Sequence, residues 1–194
     1  MIIRRFKNPA TKGFTLTEAA IVLGIVGLIL GAIWVAASAV YNNMRVEAAN
    51  KQLMTIVQNV RSLYATSTQM DNATTAQLAS AGVFPSDTNP GSGAPQNSWG
   101  GNITVARNAA GAGLCPTSGD CFSVSFAGVP QGPCIKMGVA NGGQGKDSGL
   151  VGISNAAVTA ETNVGANATP ANFLGGPCSA ATGNTIVFTF RLKG

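Results

Sequence analysis

Hydrophobic and polar positions divide the first third of the chain into two helical patterns. Residues 19–37 contain no charged or strongly polar side chain, a run of 19 apolar or small residues. A helix needs about that length to cross the hydrocarbon of a bilayer. After Val40 the pattern becomes periodic. Val46, Ala49, Leu53, Ile56, Val60 and Leu63 recur at spacings of three and four, the signature of one face of an amphipathic helix. Arg45, Glu47, Lys51, Gln52 and Arg61 fall off that face. No proline interrupts residues 16–64, so one helix of about 70–75 Å is expected at 1.5 Å per residue. Half of such a helix must project from a compact domain or be buried in other copies of itself.

Beyond this helix the pattern shortens. Residues 65–72 are polar and read as a loop, and residues 75–81 read as a short helix stopped by Gly82. Val83-Phe84-Pro85 reads as an apolar plug, and residues 86–97, rich in Pro, Gly, Ser and Asn, as an exposed loop. Trp99-Gly100-Gly101 is a turn into a strand over residues 103–106, with a second turn region at 108–113. Residues 121–126 alternate Phe122, Val124 and Phe126 against Ser123 and Ser125, which predicts a half-buried strand. Gly132-Pro133 opens a short helical turn over residues 134–139, and residues 142–149 read as flexible. Residues 151–164 give irregular pieces that the pattern does not place. The clearest strand is the last, residues 185–192, with Ile186, Phe188 and Phe190 alternating against Val187, Thr189 and Arg191. The expected fold is α+β: a long N-terminal helix packed on a mainly antiparallel sheet.

Charge changes the picture at one end only. The net charge of +5 comes largely from Arg4, Arg5, Lys7 and Lys12; without residues 1–13, eight basic side chains face seven acidic ones. That balance gives no reason to expect nucleic-acid binding. Basic residues ahead of an apolar span place the N-terminus in the cytoplasm and the C-terminal part outside. An ordinary secretory signal would be cut after its apolar stretch, whereas here that stretch continues into the amphipathic helix. Charged residues make up only 10% of the chain and apolar residues 45%, as in a loop-rich extracellular domain rather than a disordered one.

Glu18 stands at the head of the apolar run. A charged group near mid-membrane costs about 2.5–3.5 kcal/mol, so an acid kept at this position points to a function. Gly13-Phe14-Thr15-Leu16-Thr17-Glu18, followed by an Ile/Val/Leu/Gly-rich helix, resembles the N-terminus of type IV prepilins. The resemblance implies cleavage between Gly13 and Phe14 by a prepilin peptidase, N-methylation of Phe14, and a role for Glu18 in assembly beside the N-terminus of a neighbouring subunit. It implies a leader at residues 1–13, a helix at 14–64 whose 14–40 part is transmembrane and then filament core, and a globular head at 65–194. The resulting fold is the pilin fold with a disulfide-bounded C-terminal region.

Cys115, Cys121, Cys134 and Cys178 all lie on the exported side, where an even count favours disulfides. No Cys-x-x-Cys pair and no histidine support a zinc site. Of three connectivities, Cys115–Cys121 with Cys134–Cys178 is favoured. The first closes a local loop ahead of a strand; the second resembles the C-terminal disulfide that bounds the variable region of type IV pilins.

No catalytic constellation is present. Without histidine, Ser-His-Asp and Cys-His arrangements are excluded, and Asp71, Asp87, Asp120, Asp147 and Glu161 are scattered as solvated loop residues. Gly145-Lys146-Asp147-Ser148-Gly149 lacks the spacing of a phosphate loop. No cofactor or metal is expected and the chain is read as a non-enzyme. The resemblance implies a structural subunit, type IVb-like by its length and disulfide-bounded region. Its partners would be other copies of itself in a helical filament, the peptidase and assembly machinery, and the inner membrane before assembly. The filament would serve adhesion, aggregation or mating-pair contact at the cell surface. The alternatives are a pseudopilin of a type II secretion-like system and a minor, tip-located pilin acting as a binding module.

Overall fold

A computed structural model describes residues 13–88, 94–111, 113–143, 148–158 and 160–193. The basic residues Arg4, Arg5, Lys7 and Lys12, and Lys146 and Asp147, lie outside the described residues. Two compact units divide at Tyr41 and Asn42. A single helix, α1 (Leu16–Leu63), contributes to both. In the first unit every described residue is solvent-exposed.

The second unit contains the packed half of α1 and a four-stranded antiparallel sheet. Its strands are β1 (Ile103–Arg107), β2 (Cys121–Val129), β3 (Leu150–Ser154) and β4 (Asn184–Arg191), in the order β1-β2-β4-β3. The alternating aromatics fix the register of the central pair. Phe122 lies opposite Phe190, Val124 opposite Phe188 and Phe126 opposite Ile186. These three rungs share one face, and the rings of Phe122 and Phe190 stack at 5.9 Å. With Leu53, Ile56 and Val60 of α1 they belong to one fully buried core. The expected long helix on an antiparallel sheet is therefore what the chain forms.

The face of α1 differs from its pattern at two positions. Gln52 is only 4% exposed, although its polarity put it off the buried face. Its spacing puts it on that face, three residues after Ala49 and four before Ile56, and its Nε2 donates to Asp87 Oδ2 at 2.9 Å. Leu63 is 46% exposed, and Tyr64 takes the buried place at the end of the helix.

The outer face of the sheet departs further. Strand β2 is not half-buried: Ser123 and its cross-strand partner Thr189 are buried as well. The segment after β3 covers them, with the Val158 N–H donating to Thr189 Oγ1 at 3.2 Å. Leu114, Val151, Val158 and the Cys115 and Cys121 sulfurs complete a small second core there.

Helix α2 (Thr75–Ser80) begins at a capping box, in which Thr74 and Gln77 satisfy each other's backbone N–H groups. Val83 and Phe84 are buried, as an apolar plug should be. The loop after them is less exposed than its composition suggests. Asn97 is buried, its Oδ1 accepting from the N–H groups of Trp99 and Gly101 and its Nδ2 donating to the Ala127 carbonyl at 2.7 Å.

The reading of residues 134–139 as one helical turn is too short. Helix α3 runs Gln131–Gly143 and takes in the first residues of the segment read as flexible. Its glycines are packing positions. A Cβ at Gly138 would lie 2.6 Å from the Phe173 ring, and one at Gly142 would lie 2.7 Å from Ala168 Cβ. Phe173 belongs to α4 (Pro170–Leu174), which starts where Thr169 caps it and Pro170 occupies the first turn. Along α1 and α3, Lys136 Nζ donates to Asn43 Oδ1 at 2.8 Å and Asn141 Nδ2 to Asn50 Oδ1 at 2.9 Å. The irregular stretch 151–164 contains most of edge strand β3. Its central Gly152 admits Val158 and Thr162 closely, which erases the alternating pattern.

Candidate functional site

Gly13, Phe14 and Thr15 precede the first turn of α1 and are not helical. Thr15 is the boundary. Glu18 Oε2 accepts from the Thr15 N–H at 2.9 Å and from its hydroxyl at 2.8 Å, while the Glu18 N–H donates to Thr15 Oγ1 at 3.3 Å. This is a reciprocal capping box, Thr-x-x-Glu, and the carboxylate also lies at the positive end of the helix dipole. The helix begins beyond the box, and the Gly13–Phe14 peptide lies outside it and is exposed. Thr15 is the residue that pattern reasoning passed over; its signal was the spacing to Glu18.

From Leu16 to Val40 the large apolar side chains are exposed among the described residues; Leu28, for instance, is 78% exposed. Gly24, Gly27 and Gly31 have open space where a Cβ would be. This stretch is long and apolar enough to cross a membrane.

In the second unit the cysteines form two bonds. Cys115 is bonded to Cys121 with Cα atoms 5.6 Å apart, and Cys134 to Cys178 at 5.7 Å. The second bond joins α3 to the segment between α4 and β4 and encloses β3. The Tyr64 hydroxyl donates to Asp71 Oδ1 at the rim of an open cavity of about 520 Å³, which Leu63, Gln77 and Ala81 also line. Burial, then the bond to Asp71, pushes the Tyr64 pKa up to about 12. Asp71, Asp87 and Asp120 are not merely solvated: each accepts a hydrogen bond, Asp120 from the Thr117 N–H at 2.8 Å. Among the described residues no group of His, Cys, Asp and Glu is placed to hold a metal ion.

Residues 43–191 match the family model described as PilS N terminal. The chain belongs to this family of type IV pilins. No curated protein sequence matches it. The crystal structure of TcpA, a type IV pilin from Vibrio cholerae El Tor biotype, superposes with a TM-score of 0.51 at 13% identity, over 75% of this chain and 98% of that one. A type IVb pilin from Salmonella typhi gives a TM-score of 0.49 at 24% identity, over 76% of this chain and 98% of that one. The TcpA likeness establishes the fold. Pilins of this family and fold are structural subunits rather than enzymes. In this pilin the exposed apolar helix is consistent with membrane anchoring of a precursor.

Proposed function

We propose that this pilin is the structural subunit of a surface filament of the type IVb kind. A prepilin peptidase cuts between Gly13 and Phe14, and Phe14 is N-methylated. The 14–40 part of the helix then leaves the inner membrane and bundles with other copies as the filament core. Glu18 pairs with the α-amine of a neighbouring subunit, because a carboxylate in a low-dielectric bundle needs a partner. Within the monomer Glu18 already has Thr15, so the pairing is an exchange rather than a rescue. Open space beside Gly24, Gly27 and Gly31 favours close approach of helices. The head forms the outer surface and meets other cells in adhesion, aggregation or mating.

One observation carries this reading: among the described residues the apolar half of α1 is exposed along its whole length, and it is long and apolar enough to cross a membrane. Lipid covers it before assembly and other copies cover it afterwards. Intact mass of the exported protein, co-expressed with a prepilin peptidase, tests the processing. The expected species lacks residues 1–13, carries one added methyl, and gains four protons on reduction. An uncut mass would refute processing at Gly13 and leave a membrane-anchored exported domain.

A further inference from the structure

We infer that Thr75 and Asn163 guard the two edges of the sheet, keeping a second copy of this chain from adding its own strand there. The use of such guards rests on the reading of the chain as a filament subunit. An open strand edge offers a row of unpaired N–H and C=O groups that pairs readily with another edge. Identical heads crowded side by side would present such edges to one another. Pairing of like edges gives a closed two-fold dimer, and pairing of unlike edges gives a continuous sheet. Neither is a filament held together by helices.

The order β1-β2-β4-β3 makes β1 and β3 the edges. Around β1, the Asn102 carbonyl and the Asn108 N–H bond to the β2 side, so the backbone groups of Ile103 and Val105 face outward. The Ile103 N–H donates to the Pro95 carbonyl at 2.6 Å. Thr75, the first residue of α2, closes Val105 with one hydroxyl. Its Oγ1 accepts from the Val105 N–H and donates to the Val105 carbonyl, each at 3.3 Å. Arg107, charged and exposed, ends the strand. Along β3, Ile153 is closed in the same way by different groups. Its N–H donates to the Thr162 carbonyl at 2.9 Å, and its carbonyl accepts from Asn163 Nδ2 at 2.9 Å. Asn163 reaches it from a left-handed backbone, φ 51°, which asparagine adopts more readily than most side chains. At the centre of each edge, both outward groups are therefore already bonded within the chain.

The test uses the full chain in detergent, each variant being compared with wild type under the same conditions so that association through the apolar helix cancels. Thr75→Val keeps the side chain's shape and removes its hydroxyl. It leaves the N–H and C=O of Val105, a residue only 2% exposed, without partners. The Val105 amide should exchange about tenfold faster with solvent. In sedimentation at rising concentration, this variant should shift from the wild-type boundary to dimers and larger species. Thr75→Ser, which retains the hydroxyl, should match wild type in both measurements. Asn163→Gly keeps access to the left-handed backbone, frees the Ile153 carbonyl and should also associate. Unchanged exchange in Thr75→Val, or faster exchange with wild-type sedimentation, would overturn the guard at β1. Wild-type sedimentation of Asn163→Gly would overturn it at β3, and decides the matter alone if Thr75→Val does not fold. Both measurements are made on unassembled chains, so a failure of the wild type to form filaments would refute the filament reading separately.

Discussion

The Arg61 guanidinium holds the backbone carbonyl of Arg191, 130 residues away, with Nε at 3.2 Å and Nη2 at 2.9 Å. Nη2 also donates to the Ser148 carbonyl at 2.9 Å. One side chain of α1 thus fastens the end of β4 and the approach to β3. Burial lowers the Arg61 pKa from the ordinary guanidinium value. Arg61→Met should destabilise the pilin by about 2 kcal/mol, the scale of charged hydrogen bonds. Arg61→Lys should recover less than half, since an ammonium lacks the planar fork. Urea midpoints in detergent measure both, and an unchanged midpoint for Arg61→Met would refute the clamp.

Gly138→Ala should cost about 1–3 kcal/mol, because the new methyl meets the Phe173 ring within the core. Gly132→Ala, on the same helix with open space around it, should be neutral or stabilise by up to about 1 kcal/mol. Thermal unfolding of the two variants gives the comparison. Equal effects would show that Gly138 is not a packing position.

Tyr64 should ionise late. In a Tyr41→Phe background it is the only phenol, and its absorbance change should centre near pH 12. Asp71→Asn should move that titration down, because the carboxylate both accepts the phenol proton and repels the phenolate. The folded pKa lies above the unfolded value, so the stabilisation is intact below about pH 10 and lost as pH rises through about 12. Titration near pH 10 in the folded protein would contradict this.

The two disulfides should differ in weight. Loop closure predicts about 4 kcal/mol for Cys134–Cys178, with a separation of 44 residues, and about 2–2.5 kcal/mol for Cys115–Cys121, with a separation of 6. Paired Cys→Ala variants, unfolded in urea, should preserve that order. The reverse order would mean that the small outer core, rather than chain entropy, sets their contributions.

These interactions also mark where the sequence was legible. The alternation of Ile186, Phe188 and Phe190, and the spacing of Leu53, Ile56 and Val60, show because each element meets one common core. Burial of Ser123 and Thr189 does not show, because their cover comes from the segment carrying Val158, which has no period of its own. Most of α3 was hidden by glycines that weaken a helical pattern, yet Gly138 and Gly142 are present to let Phe173 and Ala168 approach. Gln52 has the spacing of the buried face, but its polarity argues against burial because Asp87, the partner that accepts from it, is 35 residues away. At the N-terminus the string from Gly13 to Glu18 was readable at once, and the Thr15 cap was written in it. The Arg61 clamp needs the fold and has no local signature.

Electron microscopy of filaments sheared from cells that carry the pilus machinery tests the central claim most directly. The account predicts a core of packed helices formed by residues 14–40 of successive copies, with heads outside and each Glu18 beside a neighbour's N-terminus. Glu18→Ala should be processed normally but yield few filaments. A core built from other residues, or a wild-type yield of filaments from Glu18→Ala, would contradict it.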